Sequence, residues 1–261
     1  MEIAEYKLLY LITIGLTGLL GGLWPVLTGA RARYDRFFSL GNAFGGGVFL
    51  GAGLIHLLPD AIENYRSLLG PDLDYPLASL ICATGFLLVL LFEKVIVGGD
   101  EAAFANAAGK SRYALTPYVL AIVLSIHSLI AGLALGAESD LTVSAALFIA
   151  IVVHKGVAAF ALGVSLHRED INRSKSIGII ALFSTMTPLG IGIGAVLGTA
   201  LSEQGAQWFE GVFDALAAGT FLYIAVVDIV ESEFAKPDDI RLKFAMVFLG
   251  LAVMALVALW T

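Results

Sequence analysis

Apolar residues occur along this chain in eight long blocks separated by short polar stretches. A membrane-spanning helix needs about 20 predominantly apolar residues, and each block reaches that length. The blocks predict transmembrane helices over approximately residues 6–28, 39–61, 76–97, 115–137, 143–166, 177–201, 209–231 and 242–260. A transmembrane barrel would instead alternate apolar and polar residues in strand-length units, and no such alternation is present in the sequence. The predicted fold class is therefore an all-α polytopic membrane protein, a single eight-helix domain over residues 1–261.

The composition narrows the possible functions. The chain is 59% hydrophobic and 14% charged, whereas a soluble domain carries about 25% charged residues. So few charges cannot cover a water-facing surface, which excludes an ordinary soluble enzyme. The net charge of −7 provides no basic surface, so no nucleic-acid partner is expected. The single cysteine, Cys82, excludes a disulfide framework and a zinc cluster built from cysteines.

Basic residues indicate the orientation of the predicted spans. Twelve of the 15 lysines and arginines lie in or beside the loops that follow spans one, three, five and seven. They are Arg31, Arg33, Arg36, Lys94, Lys110, Arg112, Arg168, Arg173, Lys175, Lys236, Arg241 and Lys243. Because cytoplasmic loops carry an excess of basic residues, these loops are predicted to be cytoplasmic and both termini extracytoplasmic. The partner is then a lipid bilayer, and we expect a plasma membrane or a bacterial inner membrane.

Pairs of glycines predict close contacts between helices. Small residues four positions apart let two helix backbones approach each other within lipid. The pattern occurs at Gly18/Gly22, Gly41/Gly45, Gly47/Gly51, Gly132/Gly136 and Gly190/Gly194/Gly198.

Two histidines lie near the middle of consecutive spans. His127 is central in span four, and His154 is central in span five. Imidazole is a good ligand for Zn²⁺ and neighbouring transition metals, and polar groups at mid-bilayer need a partner or an ion. The two rings are predicted to hold one metal ion between them, and a hydrogen-bonded pair of histidines is the structural alternative. Lys155 is too deep to reach the interface, so it is expected to pair with a carboxylate, or to take the place of a second cation.

Further ionisable residues lie toward the ends of two spans. His56, Asp60 and Glu63 share one helical face at the outer end of span two, where His56 and Asp60 could gather cations from outside. We interpret Glu63 as an ordinary acidic helix end.

Asp228 and Glu231 lie toward the cytoplasmic end of span seven. They are predicted to line an exit path, and a Lys155–Asp228 ion pair is the structural alternative. Asp214 lies near the outer end of the same span.

Five segments together resemble the ZIP (Zrt/Irt-like) metal transporters, in particular the branch with His-Ser in helix four and His-Lys in helix five. The segments are HLLPD (56–60), HSLIAGLALG (127–136), HKGVAAFALG (154–163), TPLGIGIG (187–194) and GTFLYI (219–224). The resemblance extends in order over essentially the whole chain.

The resemblance implies uptake of Zn²⁺, or of Cd²⁺, Fe²⁺ or Mn²⁺, into the cytoplasm. It implies His127 and His154 as core ligands with Ser128 beside the first, alternating access through a moving helix bundle, a homodimer and no resident cofactor. Lys155 stands where two-metal relatives have a carboxylate, so we expect one metal ion at the core.

One departure from the family pattern keeps other functions open. The family usually carries a carboxylate four residues after the helix-four histidine, where this chain has Ala131; the matching position in helix five is Ala158. A non-transporting metal-binding or sensor relative is therefore one alternative. An intramembrane metal-dependent hydrolase is another, and it would need three protein ligands and a water-activating carboxylate at one depth.

Overall fold

The computed structural model describes residues 3–28, 32–70, 75–97, 116–169, 171–197 and 203–259. These ranges form eight long helices and contain no strand. All eight are long and apolar enough to cross a membrane, which confirms the predicted fold class. Five of them are uninterrupted: α1 Ile3–Thr28, α4 Thr116–Ala137, α5 Leu141–Arg168, α6 Arg173–Leu197 and α8 Ile240–Val257. Arg31, Lys110, Arg112 and Gly198, which the sequence predictions used, lie outside the described residues.

The other three helices each contain a π-helical segment. Helix α2 (32–69) consists of Ala32–Gly51, the π segment Ala52–Leu57 and Leu58–Leu69. Helix α3 (77–97) consists of Leu77–Leu90 and the π segment Leu91–Val97. Helix α7 (203–234) consists of Glu203–Tyr223, the π segment Ile224–Val230 and Glu231–Phe234. Because π segments are rare and occur frequently at functional sites, these three indicate parts of the helices that could serve the function.

Helix α2 continues to Leu69, eight residues past the end of its predicted span. The extension is amphipathic: Ala61 and Tyr65 are buried, whereas Glu63 and Arg66 are exposed. The exposed polar residues interrupt the apolar block, so the predicted span stops before this segment. The segment stays helical because its apolar face is packed.

The helices pack as two bundles. In the first bundle, α1 packs against α5 and α6, and α4 packs against α6. In the second bundle, α2 packs against α8, and α7 packs against α3 and the outer part of α2. Contacts between the bundles run mainly between α2 and α5 and between α4 and α7. The two bundles therefore meet at an interface formed by these four helices.

Glycines allow the closest approach within the first bundle. A Cβ atom at Gly132 would contact the Thr187 carbonyl, and one at Gly136 would contact the Ile191 carbonyl. On the facing helix, a Cβ atom at Gly190 would contact the Leu129 carbonyl. The predicted close packing of these glycine pairs is present between α4 and α6.

This packing predicts a position-specific loss of stability. Gly190→Val forces α4 and α6 apart and should destabilise the protein by about 1–3 kcal/mol, as overpacking typically does. Gly192→Val is the matched control on the same helix, because nothing lies within 4 Å of its Cβ position. Thermal unfolding of the detergent-solubilised variants should separate the two. Equal melting temperatures would contradict the proposed packing role of Gly190.

Candidate functional site

Three histidines form a row across the interface between the bundles. His127 lies on α4, His154 on α5 and His56 in the π segment of α2. The ring centroids of His127 and His154 are 5.7 Å apart, and those of His154 and His56 are 6.4 Å apart. His127 and His154 are buried, while the side chain of His56 is 15% exposed. The predicted approach of His127 and His154 is present, and their binding of metal stays a prediction.

The spacing of the two buried rings suits one shared metal ion. A metal at a ring nitrogen lies about 2.0–2.1 Å from it, so roughly 3.2 Å from the ring centroid. Two such rings at a tetrahedral angle have centroids roughly 5.2 Å apart, close to the observed 5.7 Å. The Nδ1 atom of His127 is buried without a hydrogen-bond partner among the described residues, whereas the His154 ring lies within hydrogen-bond reach of the Ala150 backbone carbonyl. An unpaired buried nitrogen such as that of His127 is costly, and a bound metal ion is one way to satisfy it.

The surroundings of this pair supply few further ligands. Within the described ranges, no group of three or more His, Cys, Asp or Glu side chains is arranged to hold an ion. The Phe221 ring lies 4.9 Å from the His127 ring, centroid to centroid. Ala131 and Ala158 contribute no donor atom from their side chains. An ion at this point would keep water as part of its coordination, and two neutral imidazoles would bind it without charge compensation.

Lys155 is held by neutral oxygens. Its ammonium donates hydrogen bonds to the Ser128 hydroxyl (2.9 Å), the Phe183 carbonyl (3.0 Å) and the Thr187 hydroxyl (3.1 Å). The same ammonium lies 3.7 Å from the centroid of the Phe183 ring. The predicted pairing of Lys155 with a carboxylate, including Asp228, is therefore wrong. The reason is that α6 packs beside α5 and brings Phe183 and Thr187 to the ammonium, whereas Asp228 belongs to the second bundle.

The contacts of Lys155 also define the position of Ser128. The Ser128 hydroxyl, predicted to be part of the metal site, accepts a hydrogen bond from the lysine. Lys155 is 1% exposed and lies within electrostatic range of both His127 and His154. The basic side chain of Lys155 thus lies beside the candidate metal site.

Acidic residues flank the row of histidines on the predicted outer side. The His56 Nδ1 atom is 3.0 Å from an Asp60 carboxylate oxygen. Asp214 on α7 lies within electrostatic range of both residues. Glu63 points away from this group and pairs with Arg66 at 3.4 Å on the exposed face. Asp60 and Asp214 thus lie close to His56, and the gathering of cations by His56 and Asp60 stays a prediction.

A cavity of about 540 Å³ lies at the opposite, predicted cytoplasmic end. Ala161 and Leu120 line it, each seven residues from His154 or His127. The cavity thus begins about two helical turns, roughly 10 Å, from the imidazoles. Its charged lining residues are Glu93, Lys94, Arg168, Glu169, Asp228, Glu231 and Lys236. Asp228 and Glu231 are brought together there, and their role on an exit path stays a prediction.

The sequence predictions missed some polar residues of this region. Glu93 forms a 2.6 Å ion pair with Lys94 and lies within hydrogen-bond reach of Asp228. The position of Glu93 inside the predicted span 76–97 was the sequence feature that could have indicated a functional role. The three π segments carry His56, Glu93 and Asp228 respectively, so each places an ionisable residue along the same route. His167, the fourth histidine, packs against Phe38 at the predicted cytoplasmic end with ring centroids 6.0 Å apart.

Polar groups leading from one surface, past buried imidazoles, to a cavity at the other surface are typical of membrane transport proteins. The family profile described as ZIP Zinc transporter matches residues 4–99 and 99–258. Zinc transporter ZIP1 of Bos taurus is 33% identical to this chain over 260 residues, covering 86% of the chain and 79% of that relative. Zinc transporter ZIP1 of Homo sapiens is 31% identical, covering 96% of the chain and 89% of the relative. Zinc transporter ZIP2 of Mus musculus is 29% identical, covering 91% and 90%.

This chain belongs to the ZIP zinc transporter family. The resemblance inferred from the five sequence segments is thereby confirmed. The protein is a multi-pass membrane protein of a family of metal-ion transporters.

Proposed function

We propose that this protein moves Zn²⁺, or a related divalent ion such as Cd²⁺, Fe²⁺ or Mn²⁺, into the cytoplasm by alternating access. The observation that carries the proposal is the pair of buried imidazoles of His127 and His154, whose centroid spacing of 5.7 Å fits one shared ion. The named relatives, which are zinc transporters, support zinc as the first ion to test.

Entry begins at the outer acidic residues. Asp60 and Asp214 raise the local concentration of cations near His56, because carboxylates attract divalent ions at close range. His56 then passes the ion to His154, whose ring lies 6.4 Å away, centroid to centroid. This step exchanges some of the water around the ion for imidazole nitrogen.

Binding at the centre is brief because the site carries no negative charge. His127 and His154 are neutral ligands when they bind metal, and the Lys155 ammonium repels the ion. Weak binding favours transport, since an ion that is held too tightly leaves slowly. Release follows toward the cavity, where Glu93, Asp228 and Glu231 provide oxygen ligands.

The surroundings of the protein follow from the same proposal. The bias of basic residues assigns the cavity end to the cytoplasm, and the expected location is a plasma membrane or a bacterial inner membrane. A homodimer is the expected assembly. The metal ion is the transported substrate, and no resident cofactor is expected.

Metal uptake into proteoliposomes tests this function. Purified protein with a zinc-sensitive dye trapped inside should give uptake well above that of protein-free liposomes, with a rate that saturates as the Zn²⁺ concentration rises. Zinc binding without flux would contradict transport and favour the non-transporting relative, which the alanines at 131 and 158 already suggest as the second candidate. Parallel measurements with Cd²⁺, Fe²⁺ and Mn²⁺ rank the substrates.

A further inference from the structure

A buried carboxylate lies at the cytoplasmic end of the interface between the bundles. Glu233, near the end of α7, is 0% exposed. Its carboxylate accepts hydrogen bonds from the Ser39 hydroxyl (2.5 Å) and the Asn42 side-chain amide (2.9 Å), both on α2. It also forms an ion pair with the Arg168 guanidinium. The two polar neighbours and the glutamate itself belong to the second bundle, whereas Arg168 is the last residue of α5 in the first.

This ion pair differs from the others in the structure by joining the two bundles. Among ion pairs between described residues, the others lie within the second bundle or its α7–α8 turn: Arg36–Asp239, His56–Asp60, Glu63–Arg66, Glu93–Lys94 and Lys243–Asp238. Lys243 on α8 also donates a hydrogen bond to the Glu233 backbone carbonyl at 2.9 Å. Glu233 is thus fixed firmly within its own bundle, and among the described residues Arg168 is the one ionic partner that it has in the other bundle.

Breaking the Arg168–Glu233 ion pair would leave the negative charge of Glu233 without a cationic partner. Ser39 and Asn42 would still donate to Glu233, but a buried carboxylate without its cationic partner is strongly unfavourable. Arg168 is 29% exposed and lines the cytoplasmic cavity, so it can be solvated when it moves away. A shift of a few ångströms between the bundles would exceed ion-pair distance and impose that cost. The pair therefore stabilises the arrangement in which the cavity is present at the cytoplasmic end.

We propose that Arg168 and Glu233 form a latch that is closed in the conformation with the cytoplasmic cavity and broken when the first bundle moves relative to the second. The latch rests on the proposed alternating access, because it assigns one ion pair to one of the two conformations. It sets the balance between them without contacting the transported ion.

Distances between spin labels on the two bundles test the latch without any metal. Cys82→Ser removes the single cysteine of the chain. Ser174→Cys on α6 and Leu242→Cys on α8 then place labels at exposed positions, one on each bundle. Electron double resonance should give one dominant distance for this background. Arg168→Gln/Glu233→Gln should raise the ratio of a second distance to the first by about fivefold or more, the usual lower range for conformational coupling.

Matched variants separate a latch from a general loss of stability. Arg168→Gln alone should shift the distances in the same direction, and if it fails to fold, the double variant carries the test because it leaves no unpaired charge. Arg168→Lys, which keeps the positive charge, should restore most of the original distribution. Arg36→Gln removes an arginine pair at the same membrane end but outside the interface, and should leave the distances unchanged.

Unchanged distances in the double variant would overturn the latch. Because the measurement uses no metal, its result is independent of zinc flux. Intact flux with unchanged distances would reject the latch alone, whereas absent flux with shifted distances would reject the transport proposal alone.

Discussion

Replacing His127 and His154 together by alanine is expected to reduce Zn²⁺ uptake in proteoliposomes at least about 100-fold, to the level of protein-free liposomes. The two rings are the proposed nitrogen ligands, which the structure brings together, so their removal takes away both ligands that we propose for the ion at the centre. Loss of even a supporting group around a metal typically costs 10–100-fold, and loss of both ligands should cost more. Each single variant should retain a small part of the uptake, with a raised KM for zinc.

The control for this prediction is the histidine outside the row. His167→Ala removes an imidazole that packs against Phe38 at the cytoplasmic end and should retain uptake within about twofold. All variants should elute as the same species on size exclusion, because alanine is well tolerated in helices. Uptake by the double variant equal to that of the wild type would show that the ion takes another route.

Replacing Lys155 by methionine is expected to tighten Zn²⁺ binding at least about tenfold and to slow uptake at saturating zinc. The ammonium lies within electrostatic range of both histidines and repels a dication, and methionine keeps the volume without the charge. A positive charge on Lys155 weakens the binding of a nearby dication, and about 1.4 kcal/mol of repulsion corresponds to tenfold in affinity. Equilibrium binding of Zn²⁺ to the solubilised protein measures the change.

A lysine on the surface provides the comparison for this charge effect. Lys175→Met on the exposed start of α6 should leave the dissociation constant unchanged. The Lys155→Met variant leaves the hydroxyls of Ser128 and Thr187 without their donor, so a modest fall in melting temperature is expected as well. Weaker zinc binding in a folded Lys155→Met variant would mean that the lysine supports the site instead of opposing the ion.

The number and order of the helices could be predicted because lipid imposes a simple length rule on apolar segments. The equal depth of His127 and His154 follows from the same rule, since each lies midway along its span. The course of α2 beyond residue 61 could not be predicted, because only the packing of Ala61 and Tyr65 shows that a polar segment remains helical.

Contacts between segments that are far apart in the sequence could not be predicted from it. The oxygens around Lys155 come from α4 and α6, and which helices neighbour α5 is decided by the packing of the whole bundle. The positive charge of Lys155 suggested a carboxylate partner. An ammonium has three N–H donors, however, and three neutral oxygens can accept all of them. Pro59 marks the π segment at His56, because proline interrupts the hydrogen bonds of a helix, whereas the π segments at Glu93 and Asp228 contain no proline.

The position of the ion itself tests the central claim most directly. Crystals or grids prepared with Zn²⁺, and with Cd²⁺ as a stronger scatterer, should reveal one ion between His127 and His154. A ring nitrogen of each should lie about 2.0–2.1 Å from Zn²⁺. An ion bound elsewhere along the bundle, with the space between these two rings empty at saturating metal, would contradict the account.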